Sequence, residues 1–534
     1  MTPLGRDQRR ALIVVCAILA LTVLDTTVVS VALGSIQTRE HAGVTSLQWI
    51  VDAYALTFAS LMLTGGTMGD RFGRKRLMLI GIAVFSAGSV MGALAPSVGV
   101  LIAARAVMGV GAAAAEPGTL SVIRHLFPDR RERARALGLW AGVSCLGLAL
   151  GPIVGGILVG LWDWRGVFWF NVAAGIVLLA FAWRRIPESA DPEVSAIDVP
   201  GQILAVLTLA AVIVAVIQGE TSGYTDPVIL GLFAVASIAG GTFVRVERAA
   251  ARPMLDLHYF RLARFDAALT VAFAVYFGTF SIFFFTALYL QEVVGYTGYR
   301  TAVLFLPMAA SMVFGAWLAG RLVSRRGGRW TMTGGCLIAA AGILASEPLI
   351  VVHPSFGPLA VTLAVAGLGI GAAIVPVTAT VLELVPAEHS GMAASTTNTA
   401  RQLGVVFGVA VLGALVNAHL TTDLSARLER LGIPATFQSI VINAVERGTV
   451  PSGGNAPGSA QSYGTIVNRV ISAAYGAFRS GLTTALITSA VLIALAGAFA
   501  AYAARRTGSG LDASDEVGRE TATADRSPAL DREA

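Results

Sequence analysis

Asp25, Arg105 and Glu116 each stand inside a long apolar stretch of this 534-residue chain. At the centre of a lipid-facing helix an ionisable group costs about 2.5–3.5 kcal/mol on insertion scales, so all three must face a cavity or one another. Arg105 and Glu116 fall on one predicted helix and nearly one face, but the helical rise puts them about 16 Å apart, too far to pair directly. Burial disfavours a charged carboxylate and a nearby cation favours it. A carboxyl held in that balance can be loaded with a proton on one side of a membrane and unloaded on the other when its surroundings change. Asp25 and Glu116 are therefore candidate proton carriers, and Arg105 a candidate partner that tunes an acid. The plainer alternative is three satisfied polar residues fastening helices together.

Two further groups of residues could control motion. The short charged link at residues 66–76 holds Gly66, Asp70, Arg71, Gly73 and Arg74. Gly73 permits a tight reversal, Asp70 at a helix end can meet an arginine or a helix N-terminus, and the arginines can cross to a neighbouring bundle, which would latch one side shut. Gly147, Gly151 and Gly155 recur every four residues, with Pro152 and Gly156 beside them. Such a face carries no side chains, so another helix can approach it backbone to backbone, and Pro152 adds a bend. The strip reads equally as a hinge or seam between rocking helices and as plain tight packing. Tyr276, Phe280 and Phe284 belong to an aromatic-rich helix that could line a cavity for flat apolar or cationic molecules; lipid exposure is the simpler reading.

These residues must be positioned by membrane helices. Hydrophobic residues make up 55% of the chain and charged residues 13%, with mean hydropathy +0.73, values outside the range of soluble domains. The hydropathy pattern predicts about fourteen spans, near 11–33, 48–69, 77–95, 99–122, 134–160, 166–183, 200–218, 227–245, 267–290, 301–320, 331–350, 357–383, 393–416 and 480–503. Arginines crowd the links after even-numbered spans, while the links after odd-numbered spans are short and nearly uncharged, as in Pro96-Ser97-Val98. By the positive-inside rule both termini are cytoplasmic in a multi-pass cell-membrane protein. A long polar stretch near 417–479 then falls outside the cell as a solvated loop, although 424–431 could form an amphipathic helix. The acidic, apolar-poor tail at 504–534 reads as disordered.

Several chemistries are excluded. Cys16, Cys145 and Cys336 all fall within predicted spans, and the six histidines show no ligand spacing, so neither disulfides nor a bound metal is expected. Lys75 is the only lysine and follows Arg74, which rules out a Gly-Lys-Ser/Thr phosphate loop. Gly109-Val110-Gly111-Ala112-Ala113-Ala114 formally matches a dinucleotide fingerprint, but no strand precedes it, so those glycines are expected to pack helices. The net charge of +6 reports orientation rather than nucleic-acid binding. No cofactor and no enzymatic activity are expected.

An internal repeat is visible. The stretch from Arg105 through Gly109, Gly111 and Glu116 to Pro117 is echoed by Gly367, Gly369, Gly371 and Pro376, and Gly69-Asp70-Arg71 by Gly320-Arg321-Leu322. Repeated halves facing one midplane cavity are how secondary transporters are built.

At these residues the chain resembles the major facilitator superfamily, and within it the drug:proton antiporters with fourteen spans, over roughly residues 11–503. Gly66 with Asp70-Arg71-Phe72-Gly73-Arg74-Lys75 resembles the superfamily's loop signature. Leu101 through Arg105, Gly109 and Gly111 resemble the fourth-span motif whose arginine is linked to proton transfer, and Gly147, Gly151-Pro152 and Gly155-Gly156 the fifth-span antiporter motif. Leu24-Asp25 with Thr27-Val28-Val29 is similar to the first-span motif. Ser30, Gly34 and Met108 depart from the pattern, and Glu116 lies outside the shared motif.

The resemblance implies an all-α fold: a six-helix bundle at 1–190, two inserted helices at 191–264 and a second six-helix bundle at 265–503. It implies a monomeric, proton-coupled antiporter that exports amphipathic small molecules, with multidrug or antibiotic resistance as the outcome. The alternative is a dedicated exporter or symporter of one endogenous metabolite or lipid.

Overall fold

The structure, a computed structural model, describes residues 5–434 apart from 41, 43, 190–197, 251–254, 297 and 387–388, together with 438 and 465–506. In lipid the backbone has no water to bond, so only helices or a closed barrel can cross. Among the described residues every long element is a helix. In chain order these are α1 (Arg6–Glu40), α2 (Val44–Phe72), α3 (Arg74–Ala93), α4 (Val98–Leu126), α5 (Arg130–Leu161), α6 (Arg165–Arg185), α7 (Val199–Ser222) and α8 (Pro227–Ala249). Next comes α9 (Ala263–Phe280), which continues through a π-helical turn (Ser281–Thr286) into Ala287–Glu292. The last five are α10 (Gly298–Arg326), α11 (Gly328–Ser346), α12 (Phe356–Leu384), α13 (Ser390–Arg430) and α14 (Thr465–Arg506). Thirteen of them are long and apolar enough to cross a membrane. The other, α5, has 32 residues, ample length at a rise of about 1.5 Å per residue.

The repeat seen in the sequence is a repeat in space. In the first half α3 packs on α4 and α6, α2 on α4, and α1 on α4, α5 and α6. In the second half α11 packs on α12 and α14, α10 on α12, and α9 on α12, α13 and α14. Each pairing recurs eight helices later, so α1–α6 and α9–α14 are equivalent bundles. They meet through α5 on α10 and through α2 on α13, which are one contact related by the same exchange.

Glycines permit the close approaches. A Cβ on Gly81 of α3 would lie 2.6 Å from the Gly111 carbonyl, and one on Gly335 of α11 would lie 2.9 Å from the Gly369 carbonyl. Gly109 likewise lies against Tyr54 and Thr57 of α2. The glycines of the dinucleotide-like sequence therefore do pack helices. Pro117 in α4 and Pro376 in α12 occupy matching places.

The start of α1 and the end of α14 lie on one face of the molecule. Gln8 Nε2 donates to the Leu126 carbonyl at the end of α4 (2.9 Å), and Arg329 Nη2, at the start of α11, to the Ala501 carbonyl near the end of α14 (3.0 Å). On this termini face the bundles are joined: Arg124 Nη2 donates to the Val385 carbonyl just past α12 (2.8 Å).

The far side differs from the solvated loop expected at 417–479, because α13 continues to Arg430 and α14 already begins at Thr465. Leu424 and Leu428, one turn apart, bury against Ala473, Ala474 and Ala477. This small apolar core keeps both helices wound beyond their apolar spans. Residues 439–464 and the tail at 507–534 lie outside the described residues.

Candidate functional site

Asp25 on α1 and Arg105 on α4 meet in the interior of the first bundle, Nη1 to Oδ2 2.5 Å, with the two side chains 0% and 1% exposed. The other carboxylate oxygen accepts from Asn171 Nδ2 on α6 at 2.6 Å. Arg105 also donates from Nε to the Ile50 carbonyl (3.0 Å), and its guanidinium stands 4.4 Å from the centre of the Tyr54 ring. Four helices thus converge on one ion pair. Each oxygen of Asp25 accepts from one donor, so a proton placed on either would weaken its bond to Arg105 or Asn171. Asn171 can serve both states: its buried Oδ1 has no hydrogen-bond partner, and a flipped amide would accept from a protonated carboxyl as readily as it now donates to a carboxylate.

Glu116 is buried 11 residues further along α4. Its Oε2 accepts from Thr22 Oγ1 on α1 at 3.0 Å, and Thr22 also offers its carbonyl to Tyr54 Oη at 3.4 Å. Thr22 and Tyr54 therefore bridge the surroundings of the two acids.

Across the seam, the second bundle brings Arg401 of α13. This buried guanidinium donates to Thr378 Oγ1 (2.6 Å) and Asn398 Oδ1 (3.0 Å) and lies over Trp140 of α5 and Tyr276 of α9, 5.1 and 5.6 Å from the ring centres. Trp140 is in turn fixed by donating from Nε1 to Thr119 Oγ1 (3.1 Å), one turn beyond Glu116. Sequence reasoning missed Arg401, although it is an ionisable residue within the span predicted at 393–416. Asn171 was missed too, because a neutral amide raises no comparable flag.

A cavity of about 900 Å³, including its open mouth, lies between the bundles in the half away from the termini face. Arg105, Tyr54 and Asp52 meet it on one side and Tyr276, Gln402 and Val406 on the other. Mostly apolar walls with a few convergent polar groups suit an amphipathic ligand. Of the aromatic residues singled out on α9, Tyr276 lines this cavity. Phe284 sits in the π-helical turn and packs edge-on against Phe285 at 5.1 Å, while the side chain of Phe280 is outside the described residues.

The charged link is built locally. Gly73 has φ +105°, a left-handed conformation that disfavours any residue with a Cβ. Buried Gly66 lies one turn before Asp70, and Arg74 turns back onto Asp70 with Nε and Nη2 2.9 and 2.8 Å from Oδ1. Arg71 lies over the Phe72 ring. The first amides of α3 are received by Glu188, whose carboxylate accepts from Lys75 N (3.1 Å) and Arg76 N (3.2 Å). An anion at a helix N-terminus satisfies orphan donors and complements the dipole.

The glycine strip of α5 faces α1 of its own bundle. A Cβ on Gly151 would fall on the Thr27 hydroxyl and 3.0 Å from Val28 N, and one on Gly155 2.9 Å from the Val28 carbonyl; Gly147 approaches the Ala20 carbonyl at 3.2 Å. Gly156 points into open space, and the Pro152 side chain is outside the described residues. Gly151→Ala is accordingly expected to destabilise by about 1–3 kcal/mol through overpacking, and Gly156→Ala by less than about 0.5 kcal/mol. Unfolding of the purified variants by titration with SDS in mixed micelles measures both. Equal effects would mean that the α1–α5 approach does not depend on the missing side chain.

Comparison with known proteins agrees with this geometry. A model described as Major Facilitator Superfamily matches residues 15–409. The chain is 34% identical over 442 residues to the multidrug resistance protein Stp of Mycobacterium tuberculosis, covering 82% of this chain and 81% of that protein. It is 33% identical over 500 residues to the multidrug efflux pump LfrA of Mycolicibacterium smegmatis, covering 92% and 96% respectively. Among solved structures it resembles the human organic anion transporter MFSD10 with a TM-score of 0.60, over 93% of this chain and 100% of that one. At 14% identity that likeness concerns the fold alone.

Proposed function

We propose, because this chain belongs to the major facilitator superfamily, that it is a proton-coupled antiporter exporting amphipathic organic compounds by alternating access, with drug or antibiotic resistance as its outcome. The relatives named for multidrug resistance and efflux support that reading. The observation that carries it is the buried Asp25–Arg105 pair, whose arginine also forms part of the cavity wall. A ligand in the cavity and a proton at Asp25 therefore act on the same guanidinium. Binding of either can shift the conformational equilibrium only by its differential affinity for the two states, tenfold for each 1.4 kcal/mol or so.

The termini face is cytoplasmic on the positive-inside rule, so the conformation described is closed to the cytoplasm near Arg124 and has its cavity toward the outside. In this reading Asp25 exchanges its proton as the bundles rock, with Asn171 following the change. Glu116 and Arg401 place opposite charges on the two sides of the seam between the bundles, with Trp140 between them through Thr119. All fourteen helices cross the membrane, and the protein works as a monomer without a metal or cofactor.

The test is transport in reconstituted vesicles under an imposed pH gradient. Adding a fluorescent lipophilic cation such as ethidium should trigger proton movement, and Asp25→Asn should abolish it while the purified protein stays monodisperse. Substrate-driven proton flux that persists undiminished in Asp25→Asn would remove Asp25 from the mechanism. Export without any proton flux in the unaltered protein would favour an exporter of another kind.

A further inference from the structure

We propose that α7, the first of the two inserted helices, is a wall of the substrate cavity, and that Ile217 is a specificity-determining contact for the apolar part of the exported molecule. The inference rests on the export reading above and assigns a substrate contact to a helix outside both bundles.

The half of α7 nearer the cavity is wedged between the bundles. Ile213 and Ile217 bury with Ala59 of α2 and Val406 of α13, flanked by Ala55 and Leu403. Ile213 is fully buried, and Ile217 meets the cavity beside Tyr54, Phe58 and Val409. The other half is fastened to α2 and α8: Gln202 Nε2 donates to Thr67 Oγ1 at 3.3 Å, and Ala205 packs with Leu63 of α2 and Phe243 of α8. Helix α8 lies outside, with Val228 and Ile238 about seven-tenths exposed on its apolar surface.

The two bundle crevices are consequently unlike. Where α5 meets α10 the helices touch directly, a Cβ on Gly142 lying 3.5 Å from Val313. Where α2 meets α13 the helices also touch, but α7 packs on both of them and Ile217 closes that side of the cavity.

Two consequences follow from ordinary packing. A molecule filling the cavity against α2 and α13 presses on Ile217, so the size of that side chain sets which apolar shapes fit; a change of one or a few methylenes in such a wall is worth about 1–3 kcal/mol, or 10–200-fold. Because Ile217 buries in an apolar cluster with Ala59, Ile213 and Val406, its substitution should leave proton handling as it was.

The experiment uses the full chain with Cys16, Cys145 and Cys336 replaced by alanine. Ile217→Cys should react with a membrane-impermeant cationic methanethiosulfonate added from the cavity side, and saturating ethidium should slow that reaction about tenfold or more. Ile238→Cys on α8 should react with neither feature. Separately, Ile217→Trp should raise the transport KM for ethidium about tenfold or more, with kcat and the pH profile kept, and Ile217→Ala should favour a bulkier lipophilic cation.

Reaction at Ile217→Cys no faster than at Ile238→Cys, or no protection by ethidium, overturns the proposal. So does an Ile217→Trp protein whose loss lies in kcat alone. The labelling needs no pH gradient, so failure of proton coupling would sink the antiport reading while leaving this result standing, and the reverse holds equally.

Discussion

Asp25→Ala is expected to destabilise the folded protein by about 3–5 kcal/mol, because it strands Arg105 as an uncompensated charge in the bundle interior. The wild-type guanidinium is 1% exposed and has Asp25, the Ile50 carbonyl and the Tyr54 face around it. Remove the carboxylate and the Ile50 carbonyl, the weakly accepting Met108 thioether and one ring remain, too little for a charge that cannot be shed by deprotonation. Asn171 Nδ2 loses its acceptor in the same step. The double variant Asp25→Ala, Arg105→Leu should recover most of the loss, since replacing both members of a buried pair with apolar groups is often neutral. SDS-titrated unfolding of the purified proteins supplies the measurement. A single variant as stable as the unaltered protein, or a double variant worse than the sum of the singles, would show that the pair does not hold these helices. A buried pair of this kind contributes little net stability when intact, and breaking half of it is costly.

The cost of keeping charge in lipid explains which parts of this architecture could be read from the sequence. Asp25 and Arg105 are visible because each is an ionisable residue in an apolar stretch, and the structure brings them into contact. The fold was equally legible: about twenty apolar residues leave few alternatives to a helix, and the Gly and Pro echoes at Pro117 and Pro376 mark the repeat that the packing repeats. The partners were not legible. Asn171, Thr22 and Tyr54 are ordinary residues brought to the acids from α6, α1 and α2, and no periodicity within one helix encodes a neighbour on another.

Arg401 was detectable in principle but sits just after Ser395-Thr396-Thr397-Asn398, a polar run that blurs the edge of its span. At 417–479 the local polarity suggested loop, whereas Leu424 and Leu428 find their apolar partners on α14, far along the chain. The glycine strip was read correctly as a close approach, but only the packing shows that its partner is α1 rather than the other bundle.

Arg401→Gln should weaken coupling between the bundles by about 1–3 kcal/mol, a 5–150-fold change in the balance between the two openings. The reason lies in where the charges are. The repeat has the apolar Ile374-Val375 before Pro376 where the first bundle has Glu116 before Pro117, so the second bundle brings a cation but no acid to this seam. With Arg401 gone, Glu116 keeps only the Thr22 hydroxyl, and Trp140 loses the guanidinium lying over its ring. Both losses fall on the surface where the bundles meet, so they act on the equilibrium between conformations as well as on folding. Arg401→Lys should recover part of the effect by restoring charge without the flat stack and two-pronged donation to Thr378 and Asn398.

The decisive comparison is a double-mutant cycle. If Arg401 acts through Glu116, Glu116→Gln should have little further effect in the Arg401→Gln background, and the two changes should be non-additive by about 0.5–3 kcal/mol. Spin-label distances between the termini-face ends of α4 and α12 report the equilibrium, and ethidium-driven proton flux reports its consequence for transport. Additive effects on both readouts would separate the two residues and leave Arg401 a structural anchor of α12 and α13 alone.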